Sequence, residues 1–169
     1  ERMLVNVMQR DSSLLMQNES FAFMFDPFYD HRNAAMFMIN PIGGRTDGQV
    51  IDRQFNRDWN TVWAFKTGRF EGGWIAEVAI PFKSLRYTPG REQPWGFQAR
   101  RVSRWKNEIA YLSRIPDGAG LFGIMRPAYG LPVTGLEAPG GSRSLEVKPY
   151  ATSDLSTDAK AVPPRLNDL

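Results

Sequence analysis

Hydrophobic and polar residues alternate along this chain with a period of two more often than with helical spacing. In "ESFAFMFD" the rings of Phe21, Phe23 and Phe25 share one face, while "NAAMFMIN" is apolar on both faces, as suits a strand between two layers. "NTVWAFKTG" sets Trp63 and Phe65 against Val62, Ala64 and Lys66. "GWIAEVAI" sets Trp74, Ala76, Val78 and Ile80 against Ile75, Glu77 and Ala79. "WGFQARRVSR" and "NEIAYLSRI" predict two more strands, joined by a tight hairpin turn built on Asn107 in "WKNE". Turn residues cluster between these runs, in "DPFYDHR", "NPIGGRTDG", "KTGRFEGG" and "TPGREQP". Aromatic and β-branched strands with Gly/Pro punctuation predict an all-β chain folded as an antiparallel β-sandwich. Helix is confined to short turns at "SSLLMQ" (12–17) and "PFKSL" (81–85), the latter with Pro81 at its first position.

Near residue 127 the composition changes to "RPAYGLPVTGLEAPGGSRS", whose proline and glycine predict a linker over 127–142 after a sandwich domain spanning 1–126. In the remainder, 143–169, "SLEVKPYAT" alternates again and "DAKAVPPRLNDL" is polar, which predicts a further strand and a disordered tail. A length of 169 residues fits one domain with a real core. The net charge of +3 comes from 21 basic and 18 acidic residues interspersed along the chain, so no field suited to nucleic acid is built. Zero cysteines exclude disulfides and thiolate metal sites, and a single histidine, His31, excludes a multi-histidine zinc site. No apolar run approaches the ~20 residues of a membrane helix. The chain opens at Glu1 without methionine or a signal peptide, so it reads as a fragment with any targeting signal upstream.

Candidate chemistry is sparse. "GAGLFG" (118–123) matches a dinucleotide loop, but Pro127 blocks the helix that must follow, so the segment reads as a turn. Paired carboxylates leave a glycoside hydrolase open in principle, since two acids suffice for that reaction. In "RRVSRWK" alternation sends Arg100 and Arg104 to one face and Arg101 and Trp105 to the other. A nucleic-acid platform needs its basic and aromatic groups on one face, so nucleic acid is not expected as a partner. Asp26 and Asp30 of "DPFYD", together with Asp47, offer oxygen ligands for Ca²⁺, or else cap their own turns. Trp63, Trp74 and Trp95 fall within apolar runs and read as core. Trp59 and Trp105 lie at strand ends, where an indole can stack on the apolar face of a pyranose or cap the edge of the sandwich. Glu77 interrupts the apolar run that ends at Pro81. If buried it requires a partner, and Arg86 and Arg101 are the expected ones, forming an ion pair that fixes strand register.

The ordered set "FDPFYDHRNAAMFMINPIGGRTDG", "WNTVWAFKT", "GGWIAEVAIPFKSLRY", "PWGFQARRVSRWKNE" and "AGLFGI" resembles the family 9 carbohydrate-binding-module-like domain found at the N-terminus of large bacterial proteins with an outer-membrane β-barrel. The similarity spans about residues 10 to 126, and "SLEVKPYAT" resembles the start of the barrel region. The resemblance implies a jelly-roll sandwich lacking its first strands. It also implies a periplasmic or outer-membrane-associated location, the chain's own barrel as a partner, and a glycan as ligand. Calcium, known in some family 9 modules, would fall on Asp26, Asp30 and Asp47. The expected function is a non-catalytic glycan-binding module that stacks sugar on Trp59 or Trp105, with polar help from Asp58 and Arg104. The alternatives are a structural or interaction domain without a sugar ligand, and a glycoside hydrolase component.

Overall fold

The structure, a computed structural model, describes residues 3–90 and 93–140. Among the described residues nine strands form: β1 (Ser20–Asp26), β2 (Asn33–Ile39), β3 (Arg45–Ile51), β4 (Gln54–Asn56), β5 (Ala64–Phe70), β6 (Gly73–Ala79), β7 (Trp95–Ser103), β8 (Glu108–Tyr111) and β9 (Leu131–Val133). Seven of them make one sheet in the order β4-β3-β2-β1-β7-β8, with β9 also on β7, while β5 and β6 form a separate hairpin. Every pairing is antiparallel. β8 and β9 share the outer edge of β7, β8 beside Arg100–Ser103 and β9 beside Trp95–Phe97.

Alternation sorts the side chains of the large sheet into two chemically different cores. On one face Phe23, Phe37, Ile39 and Ala99 meet Trp63 and the inward residues Phe65, Trp74, Ala76 and Ile80 of the hairpin layer. The rings interlock: Phe23 stacks on Phe37 at 5.3 Å, and Trp63 meets Phe37 edge-on at 5.1 Å. This is the interior of the expected sandwich, with layers of unequal width. On the opposite face Met24, Met36, Met38, Ala22, Ala34 and Val50 pack against Leu15, Ile124, Met16 and Met125. Here the cover is not a second sheet but two 3₁₀ segments, Ser13–Gln17 and Asp117–Met125. The first is capped by the Ser12 hydroxyl, which accepts from the Leu14 N–H.

The hairpin turn of "WKNE" forms as its sequence predicts, with Asn107 at φ +51° and its N–H donating to the Arg104 carbonyl at 3.2 Å. Two stretches behave differently from their composition. "GGRTDG" reads as a turn, yet from Arg45 onward it is β3. Gly48 is required there because the Phe55 ring lies directly against the position a Cβ would occupy. The Pro/Gly-rich stretch assigned to a linker over 127–142 instead carries β9 and a bridge between Gly90 and Ala138, so residues up to 138 pack on the sandwich. Pro132 lies opposite Gly96 at the margin of the sheet, where proline is tolerated. The expected strand and tail within 143–169 lie outside the described residues.

Candidate functional site

The turn between β5 and β6 is tight: Glu71 and Gly72 join the strands, and Gly72 takes φ +90°, which a side-chain-bearing residue adopts only under strain. Phe70 lies opposite Gly73 in the ladder, and a Cβ added at Gly73 would stand 2.8 Å from the Phe70 ring. The ring therefore rests over a bare backbone. Phe70 is 62% exposed and Ile75 58% exposed. Trp74 turns inward and is half-buried against the aromatic core.

Between this hairpin and the large sheet lies a groove of about 360 Å³, lined by Phe21, Phe70, Trp74, Ile75 and Arg101 with the Gly72–Gly73 backbone. That volume falls within the roughly 300–1,000 Å³ of small-molecule sites. Arg101 stands at one wall with its side chain 45% exposed and its guanidinium 3.5 Å from Glu19, a carboxylate only 1% exposed. Glu19 also accepts the Arg104 N–H at 3.0 Å. A buried acid thus anchors a half-exposed cation at the edge of an aromatic groove. The arrangement can stack an apolar ring face and donate hydrogen bonds to hydroxyl or carbonyl oxygens beside it. Among the described residues no carboxylate lines the groove.

The residues expected from sequence to bind sugar are not brought together. Trp59 lies over β2, half-buried, edge-on to Phe37 at 6.1 Å. It lines a small recess of about 30 Å³ with Phe28, Asn33, Gln49 and Arg86. Trp105 is 49% exposed in the β7–β8 turn, and β1 stands between β7 and the β2 strand over which Trp59 packs. Asp58 is exposed, and its N–H donates to the Asn56 side chain at 3.0 Å. Arg104 donates to the Met16 carbonyl, tying the β7–β8 turn to the first 3₁₀ segment.

The three aspartates also part company. Asp26 follows Ala22 and Met24 on the methionine face, whereas Asp47 stands opposite Phe37 on the aromatic one. Asp26 is fully buried and accepts the N–H groups of Phe28 and Asp30 at 3.2 Å each and of His31 at 2.7 Å. Burial pushes its carboxyl above the usual carboxylate range, against those donors. Asp30 accepts from the Arg32 and Asn33 N–H groups at 2.8 Å and from the Asn33 side chain at 2.6 Å. Burial works to raise its pKa as well, but the two Asn33 donors and Arg32 overcome it, and Asp30 titrates below the ordinary value. This is turn-capping chemistry. Asp47 is occupied by Arg10, Thr61 and Trp63. Among the described residues no group of three or more potential metal-ligating side chains assembles.

The expected ion pair of Glu77 with Arg86 or Arg101 does not form. Glu77 is exposed on the outer face of the hairpin opposite Lys66, while Arg101 reaches Glu19. A carboxylate facing solvent needs no buried partner. Sequence reading passed over Phe70, because "KTGRFEGG" looks like a turn, and assigned Trp74 wholly to the core. The signal that could have found them is a ring on each side of a two-residue turn.

Comparison with solved structures bears on the fold. A family 9 carbohydrate-binding module from Caldicellulosiruptor kristjanssonii, in complex with cellotriose, superimposes with a TM-score of 0.53 at 14% sequence identity, covering 85% of this chain and 70% of that one. The chain therefore shares the β-sandwich fold of a carbohydrate-binding module. No protein-family model matches the sequence, and no curated protein matches it either.

Proposed function

We propose that this domain is a non-catalytic glycan-binding module, with the groove between the β5–β6 hairpin and the large sheet as its ligand site. The observation behind this reading is the convergence of Phe70, Trp74 and Arg101 on one groove of about 360 Å³ without an acid/base pair. The fold neighbour, a module solved with cellotriose, supports the ligand class. Stacking of a pyranose on Trp74 and Phe70, with Arg101 donating to ring or hydroxyl oxygens, uses each group for what its chemistry favours. The decisive experiment is titration calorimetry with cellotriose and a panel of neutral oligosaccharides on the native domain and on Trp74→Ala. Heat that vanishes in the variant is expected. No heat with any saccharide, together with unchanged tryptophan fluorescence, would overturn the reading.

The sequence resemblance supports two further parts of the proposal. The module belongs to a larger outer-membrane-associated protein, and it lies in the periplasm beside its own barrel. Fractionation of cells carrying the full-length protein, with recovery in the soluble cytoplasm, would refute both. One observation favours a second reading, a docking domain without a sugar ligand. Phe70 and Ile75 leave apolar surface exposed at the tip of a hairpin that pairs with no third strand among the described residues.

A further inference from the structure

A second cleft, of about 620 Å³, opens at the other end of β1 from the Trp74 groove. Its walls are the β1–β2 turn with His31 and Arg32, the β3–β4 turn with Asp52 and Arg53, and the segment Arg126–Tyr129. Both turns are fixed. Tyr29, His31, Asp52 and Arg53 all hold positive φ, the Asp52 N–H donates to the Arg32 carbonyl at 3.2 Å, and buried Asp26 caps the first turn with three hydrogen bonds. The third wall is anchored from below, since the Tyr129 carbonyl accepts from Gln98 and Ser113 at 2.9 Å each. Such a cleft requires little reordering when it binds.

Its charges are unbalanced. Asp52 is engaged by Arg32 at 2.8 Å, and the nearby Asp30 accepts the amides of Arg32 and Asn33. Among the described residues neither Arg53 nor Arg126 has a carboxylate within ion-pair distance. Arg126 reaches only the Tyr129 hydroxyl, at 3.5 Å. Arg53 and Arg126 both line the cleft and are exposed, and the planar guanidinium of either can pair side-on with two oxygens of a carboxylate or sulfate. The cleft exceeds what a bare inorganic anion fills. Tyr129, half-buried, and the His31 ring, held 4.5 Å from Tyr29, add ring surface beside the charges.

The geometry points to a site for an acidic saccharide, a sugar ring bearing a carboxylate or sulfate, gripped by Arg53 and Arg126. This site goes beyond the Trp74 groove and does not depend on it, because the two lie at opposite ends of β1. The interspersed charges elsewhere on the chain disfavour a nucleic-acid polyanion.

The test titrates the domain with trigalacturonate, using cellotriose as the neutral control and inorganic phosphate and sulfate as bare-anion controls. Arg53→Gln, Arg126→Gln and Trp74→Ala are the variants, and the two arginines are exposed enough to leave the fold intact. Trigalacturonate is expected to bind and to weaken as salt is raised. Its affinity should fall roughly tenfold or more in each arginine variant, with Trp74→Ala unchanged. Absence of trigalacturonate binding, equal affinity for phosphate or sulfate, or binding indifferent to both arginine substitutions would overturn the assignment. Loss of cellotriose binding in Trp74→Ala alone would concern the other groove.

Discussion

The Trp63 indole N–H donates to Asp47 at 3.1 Å inside the aromatic layer. The Asp47 side chain has no solvent exposure and also takes the Arg10 guanidinium at 2.8 Å and the Thr61 N–H at 3.0 Å. One carboxylate thus joins the N-terminal segment, β3 and the entry to the hairpin layer. Asp47→Ala would leave the buried Trp63 indole N–H without its acceptor and take one partner from Arg10, which keeps Asp11 and Asn60. A loss of about 3 kcal/mol is expected, measurable by urea unfolding. Trp63→Phe should cost less, and the double variant should show strong non-additivity with Asp47→Ala.

Arg100 has the opposite character. It is 1% exposed on the methionine face, beside Ala22 and Met38 in the ladder, and donates to the Leu121 carbonyl and to the Met38 sulfur at 3.4 Å. Burial lowers its pKa, Tyr111 partly offsets that, and among the described residues no carboxylate compensates the charge. Replacing a buried charge of this kind with an apolar residue of similar length is often neutral or stabilising. Arg100→Met should therefore retain the native unfolding midpoint or raise it. A loss above about 2 kcal/mol would show that the hydrogen bonds outweigh the desolvation cost.

Asp26 and Asp30, four residues apart in one turn, should pull the acid stability profile in opposite directions. Asp30 titrates below its ordinary 3.8, so its contribution is present above that pH and fades as pH falls through the lowered folded value. Asp26 titrates above 3.8, so the native state gains relative stability as pH falls through the raised folded value. Against Asp30→Asn, the native advantage should shrink on acidification below 3.8, and against Asp26→Asn it should grow on approaching 3.8 from neutral pH. Unfolding curves collected across that range check both slopes.

The Phe70 ring rests over Gly73, and its far end is what a new Cβ would meet, at 2.8 Å. Gly73→Ala should therefore shift the ring at little cost in stability while reshaping the groove. Saccharide affinity should fall several-fold in Gly73→Ala and further in Phe70→Ala, with the unfolding midpoint moved by less than about 1 kcal/mol in each. Parallel calorimetry and urea unfolding separate the two effects.

Much of the fold was legible as alternation. The rings of β1, the two-sided apolar run of β2, the Trp74 row of β6 and the Asn107 turn all read directly from residue order. β3 was hidden because Asp47 and Gly48 have weak strand preference, and what holds them is long-range: Asp47 by Trp63, Gly48 by Phe55. β9 was hidden because Pro132 looks like a linker until Gly96 lies opposite it. The site was less legible still. Tryptophans at strand ends drew attention to Trp59 and Trp105, and sequence alone cannot show that one packs over β2 while the other stands beyond β1 in the β7–β8 turn; Phe70 was masked by the glycines around it.

Met36 and Phe37 are neighbours in sequence, yet one sits among thioethers and the other among stacked rings. The large sheet is thereby a partition between a compliant compartment and a rigid one. Unbranched methionines readjust around a changed neighbour, whereas interlocked rings tolerate little. Substitutions accumulating beneath the sheet can be absorbed there, and the aromatic side that shapes the groove need not register them. Such a molecule can drift far in sequence on one side while keeping its recognition surface on the other.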